Sequence, residues 1–111
     1  MKVAVVGSSR IKGDIDAYIP AGTTQIVSGG LRGIESLAER WADDNGVPKL
    51  MIKLTHDRFG RLYPLKRARL IAETADIVVA VWDGVSVETK LVIDCARRAG
   101  KMVKVHLVKR I

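Results

Sequence analysis

The run Asp76-Ile77-Val78-Val79-Ala80-Val81-Trp82 constrains this chain more than any other feature. Six consecutive apolar residues, three of them Val, leave no side of a strand for water. Such a strand must be covered on both faces, as in the middle of a parallel sheet flanked by helices. Lys2–Val6, Gln25–Val27 and Leu50–Leu54 are shorter apolar stretches that read as companion strands. In Met102–Val108, Val103, Val105 and Leu107 alternate with Lys104, His106 and Val108, which predicts an edge strand with one face partly wet.

Three helical patterns lie between the strands. In Ile34–Asn45, the residues Ile34, Leu37, Ala38, Trp41 and Ala42 form one apolar stripe, and Asn45-Gly46 with Pro48 supplies the stop. In Leu65–Ala75 the stripe is Leu65, Ala68, Ile71, Ala72 and Ala75. In Val87–Ala99 it is Val87, Leu91, Val92, Cys95, Ala96 and Ala99, with Gly100 ending the helix. The link Ser8–Thr24 is long enough to cross between parallel strands but has little helical periodicity, so at most a helical turn or two is expected there. This alternation predicts a single Rossmann-like, three-layer α/β domain over residues 1–111. Its five-stranded, mainly parallel sheet is expected in the order 3-2-1-4-5.

Length and composition agree with one globular domain. The chain has 111 residues, 48% of them hydrophobic and 28% charged, which excludes a disordered class. No apolar run approaches the roughly 20 residues of a membrane helix, and the opening apolar stretch is too short for a signal peptide. One cysteine cannot form an internal disulfide, so a reducing, cytoplasmic setting is expected. The net charge of +7 is unevenly spread: Asp14–Ile52 holds six acids and three bases, Lys53–Arg69 six bases and one acid, and Arg97–Arg110 six bases and no acid. Such basic fields either attract anionic partners or merely solvate a surface.

In open parallel sheets, ligands sit beyond the carboxyl ends of the strands, where the strand order reverses. Three loops fall there. Gly7, Ser8 and Arg10 follow the first strand, and Ser28, Gly29, Gly30, Arg32 and Gly33 follow the second. Trp82, Asp83, Ser86 and Glu88 surround the exit of the fourth. The second loop runs straight into a helix, whose free N–H groups favour an anion, and Arg32 adds a planar cation suited to phosphate. Glu35, in the first turn of that helix, either accepts from a ribose hydroxyl or complements the helix dipole. No Gly-x-Gly-x-x-Gly follows the first strand and no Gly-Lys-Ser/Thr occurs, so neither a dinucleotide fold nor a P-loop is expected. Arg67 either faces the ligand or lies on a solvated helix face. Trp82 either stacks on a base or makes a core or subunit contact. Asp83 either accepts from a ribose hydroxyl, forms an acid–base pair with Glu88, or, like Glu88, serves in capping and turn formation at the helix entrance. His56 and His106 lack the neighbours of a metal site, so none is expected, and Cys95 is expected to be buried and inert. Thr55–Pro64, with His56, Arg58, Phe59, Arg61 and Tyr63, reads as a lid, an oligomer contact or a plain loop.

Taken together, Val5-Val6-Gly7-Ser8, Ile26-Val27-Ser28-Gly29-Gly30-Leu31-Arg32-Gly33-Ile34-Glu35, Arg67-Ala68-Arg69 and Ala75 through Ser86 with Trp82-Asp83-Gly84 resemble the SLOG superfamily (the Smf/DprA–LOG group). Its small YspA-like branch of bacteria and phages is the nearest in pattern, over residues 2 to about 106. The resemblance implies a Rossmann-like fold that senses or processes nucleotide derivatives. Relatives in that superfamily include phosphoribohydrolases, single-strand-DNA-binding proteins and sensors of ADP-ribose-type signals. Glu88 stands where the family pattern has Gly, Ala68 where it has Asn, and Glu35 where it has Asp. The Pro-Gly-Gly-x-Gly-Thr-x-x-Glu element of the phosphoribohydrolases is missing.

The expected function is capture of a nucleotide or ADP-ribose-like molecule, its phosphate on the Gly29–Gly33 turn with Arg32, by a protein that needs no cofactor and forms a homodimer or larger homo-oligomer. The alternatives are a nucleotide N-glycosidic hydrolase using Glu35, Asp83 or Glu88, and a single-stranded nucleic-acid binder using the basic stretches.

Overall fold

Beyond Lys2, every residue of β1 (Lys2–Gly7) is buried, and the pleat sends successive side chains to opposite sides. Val3 and Val5 enter a cluster with Ile34, Ala38 and Ala42, while Ala4 and Val6 enter another with Ala68, Ile71 and Ala96. This two-sided burial makes the molecule three layers. The computed structural model describes residues 1–8, 15–30, 33–52 and 60–108. The strands β2 (Gln25–Ser28), β3 (Lys49–Met51), β4 (Ile77–Trp82) and β5 (Met102–Leu107) complete a five-stranded, all-parallel sheet in the order β3-β2-β1-β4-β5. One face carries α1 (Ile34–Asp44), and the other carries α2 (Tyr63–Thr74) and α3 (Val87–Arg98).

The element limits follow local chemistry. Pro64 falls in the first turn of α2, where its missing N–H costs nothing, so that helix begins two residues before the start expected from its apolar stripe. Gly33 caps the start of α1, with a φ of 81° and a ψ of −125° that suit glycine alone. Asp76 lies just before β4 instead of within it. Its carboxylate accepts the Lys2 N–H at 2.7 Å, a bond that holds the carboxyl below its ordinary value. The Ser8–Thr24 link shows a single 3-10 turn, Asp16–Tyr18, among its described residues.

The sequence expectations need correction at the carboxyl edge of the sheet. Leu107 shares the parity of Val103 and Val105, yet it is 72% exposed, because it pairs with Trp82 at the end of the strand, past the helical cover. Val87 is 70% exposed at the mouth of α3 rather than on its buried stripe, and Ala99 caps the far end of the helix in solvent. The third strand is shorter than expected. Ile52 follows it and still donates its N–H to the Ser28 carbonyl at 2.7 Å, while Leu54 lies outside the described residues. Cys95 is buried in the α2–α3 cluster. Among the described residues, no helix is long and apolar enough to cross a membrane.

Gly7 closes β1 directly beneath the start of α1. A Cβ there would strike the Val81 carbonyl oxygen and stand 2.7 Å from the Ile34 side chain. Backbone on one side and a buried helix on the other cannot both yield cheaply. Gly7→Ala is therefore expected to cost about 1–3 kcal/mol, read as a lower urea midpoint with an unchanged m value.

Candidate functional site

The strand order reverses between β1 and β4, since the chain leaves β1 toward β2 on one side and returns to β4 on the other. A cleft of about 280 Å³ opens at the carboxyl end of that junction. Gly7 and Ser8 form its floor, Glu35 and Arg67 one wall, and Ser86, Val87, Glu88 and Thr89 the other. Gly7, Ser8, Glu35, Arg67, Ser86 and Glu88 were expected from the sequence. Val87 and Thr89 were not, although Thr89 lies three residues after Ser86 and so faces the same way on the first turn of α3. Arg10 and Arg32 lie outside the described residues, as do His56, Arg58 and Phe59 of the expected lid.

Beside the cleft, Glu35 and Arg67 form an ion pair between Oε1 and Nη2, with residue exposures of 1% and 3%. The two residues come from helices on opposite faces of the sheet, so the pair crosses over its carboxyl edge. The crossing point is Gly29, where a Cβ would lie 2.6 Å from the Arg67 Cζ. The Gly29 N–H donates to Glu35 Oε1 at 2.9 Å, and the Gly30 N–H donates to Ser28 Oγ at 3.2 Å. Ser28 Oγ in turn donates to Glu39 at 2.7 Å. The anion seated on the described part of the glycine turn is therefore the protein's own Glu35 carboxylate. Arg67 Nε is buried without a hydrogen-bond partner among the described residues.

The opposite wall is held by Asp83. Its Oδ1 accepts the Val85 and Ser86 N–H groups at 2.9 and 2.8 Å, and Ser86 Oγ lies 3.0 Å from Oδ2. Ser86 Oγ also lies 2.9 Å from Ser8 Oγ, which accepts the Asp83 N–H at 3.2 Å. Burial raises the Asp83 carboxyl, but the two N–H groups and the Ser8 and Ser86 hydroxyls outweigh it and hold the carboxyl at about 2. A group so placed stays ionised and saturated with donors, which suits a structural acceptor better than an acid–base catalyst. The Trp82 indole N–H donates to the Ser86 carbonyl at 3.0 Å, and its ring packs on the α2–α3 cluster. Together these bonds bind the β4–α3 loop to the end of β1. His106, meanwhile, places its ring 4.8 Å from that of Tyr18.

Two outcomes follow. Arg67→Ala strands the Glu35 charge in the interior and is expected to cost about 3–5 kcal/mol, whereas the double change Glu35→Gln with Arg67→Met recovers most of that loss in denaturant titrations. The Asp83 carboxyl is lower in the folded chain than its ordinary value of 3.8. Its contribution is thus fully present above pH about 4 and disappears as pH falls toward about 2. The stability gap between the wild type and Asp83→Asn is expected to narrow over that interval. A gap constant with pH would contradict the donor-saturated carboxylate.

Compared with protein-family models, with curated proteins and with solved structures, the chain matches none.

Proposed function

We propose that the protein binds a nucleotide-type small molecule in the cleft at the β1–β4 junction. The observation that carries this reading is a polar cleft at the point of strand reversal, with a buried guanidinium on one wall and the N-terminus of a twelve-residue helix on the other. Free N–H groups at a helix start and a guanidinium are two independent donors for one phosphate. The anion is assigned to Arg67 and the first turn of α3, since the Gly29 and Gly30 amides already serve Glu35 and Ser28. Arg32 remains a candidate second cation at the mouth.

Size narrows the ligand. Small-molecule sites usually span about 300–1,000 Å³. The described walls enclose about 280 Å³, enough for a mononucleotide unit and small for a whole ADP-ribose. The described carboxylates favour binding over hydrolysis: Glu35 is paired with Arg67 and Asp83 is saturated by the loop, which leaves Glu88, among the described residues lining the cleft, without the partner that acid–base chemistry on a glycosidic bond requires.

Thermal denaturation against nucleosides, ribonucleoside 5′-monophosphates and ADP-ribose tests the reading, with Thr89→Val and Arg32→Ala in parallel. A mononucleotide at about one hundred times its Kd is expected to add about 2.7 kcal/mol of stability. Thr89→Val, which alters a buried wall of the cleft without changing its volume, is expected to weaken that effect. No stabilisation by any of these compounds overturns the reading.

A further inference from the structure

Three acidic residues stand at or beside the cleft, and two of them are already engaged. Glu35 is seated between Arg67 and the Gly29 N–H, and Asp83 holds the β4–α3 loop. Glu88 differs from both. It lines the cleft from the first turn of α3, is exposed, and makes no hydrogen bond or ion pair among the described residues. The nearest lysine along the helix, Lys90, turns to Asp94 at 3.8 Å instead.

We propose that Glu88 is the specificity-determining residue of this cleft, accepting hydrogen bonds from the vicinal hydroxyls of a ribose, so that the ligand is a ribonucleoside monophosphate rather than its 2′-deoxy counterpart. The inference rests on the nucleotide-binding reading above. An ionised carboxylate only accepts, and its two oxygens take two neighbouring donors at once. On a nucleoside monophosphate, the vicinal hydroxyls are the donor pair that does not depend on the base. The phosphate cannot face Glu88, because like charges repel, so it turns to Arg67 on the other wall and leaves the sugar for the carboxylate. Charge also sets an upper limit on the ligand. The described lining residues carry two carboxylates and one guanidinium, and the guanidinium is neutralised by Glu35. Each further phosphate therefore enters a site with no described cation left to receive it.

A carboxylate in the first turn of a helix also complements the helix dipole. That role affects stability and is blind to the sugar, so ligand discrimination separates the two. The experiment is titration calorimetry of the wild type, Glu88→Gln and Glu88→Ala with the four ribonucleoside 5′-monophosphates, their 2′-deoxy counterparts and one ribonucleoside triphosphate. Because Glu88 is exposed, both variants are expected to fold, and circular dichroism checks this.

The wild type is expected to prefer ribo over deoxy by about tenfold or more, as befits a hydrogen bond to a charged group. Glu88→Ala should bring the ratio close to one and improve triphosphate binding relative to monophosphate. Glu88→Gln, which keeps one acceptor oxygen, should retain part of the preference. Equal ribo and deoxy affinity in the wild type, or an undiminished preference in Glu88→Ala, overturns the role of Glu88 while nucleotide binding itself stands. If no mononucleotide binds the wild type, the nucleotide reading fails and the role of Glu88 fails with it.

Discussion

The Glu35–Arg67 ion pair is the constraint around which the carboxyl edge of this sheet is arranged. An ion pair taken out of water loses several kcal/mol of solvation per charge, and it recovers this only if the remaining donors and acceptors are also satisfied. Glu35 comes close to that condition, with Arg67 and the Gly29 N–H on the same oxygen. Arg67 does not, since its Nε is buried without a partner among the described residues. Two apolar side chains of similar volume would hold the two helices together at least as well. Stability alone therefore does not account for the pair. Its position does: it fixes a guanidinium at the rim of a crossing between layers where Gly29 leaves room, and it sets that cation on the wall of the cleft.

The other wall is built on the opposite principle. Asp83 sits in partly solvated backbone and collects donors from its own loop and from Ser8, so its charge is held by many modest bonds instead of one buried partner. Because Ser8 follows β1 and Ser86 precedes α3, the same bonds set the distance between the two sides of the strand reversal. One wall is thus rigid through burial and the other through a hydrogen-bonded turn. The floor between them is Gly7, whose missing side chain lets α1 close down on the sheet. A cleft with fixed walls loses little conformational entropy when it takes up a small ligand, which is the physical advantage of building it at this place in the fold.

The sheet was legible in the sequence because its signals are local. The apolar run at Ile77–Trp82 requires two-sided cover, and the stripes at Ala38/Ala42 and Ala68/Ile71/Ala72 mark the faces that provide it. Leu107 and Val87 were misplaced for the same local reason: periodicity tells which way a side chain points but not where the cover ends. The site was legible only in outline. Gly7, Ser8, Ser86 and Glu88 follow from the rule that ligands gather at strand ends, whereas the Glu35–Arg67 pair joins residues 32 apart in the chain across two layers. In sequence, Glu35 is an ordinary first-turn acid and Arg67 one of several arginines on a basic helix. Only the topology brings them together, and it turns the Gly29 and Gly30 amides inward toward Glu35 and Ser28.

That inward turn bears on how the cleft distinguishes its charges. A glycine loop entering a helix attracts whatever anion can reach it, and here the chain supplies its own from one turn along α1. In the proposed complex the ligand's anion is left with Arg67, and Glu88 stands on the other wall of the cleft. A site meant only to retain phosphate would gain nothing from a carboxylate that has no partner among the described residues. It becomes useful once the ligand carries donors as well as a charge, for then the two ends of the cleft read different parts of one molecule. In that proposed complex, attraction at Arg67 fixes the orientation and repulsion at Glu88 forbids the reverse, so a small cleft of about 280 Å³ imposes a direction on its ligand.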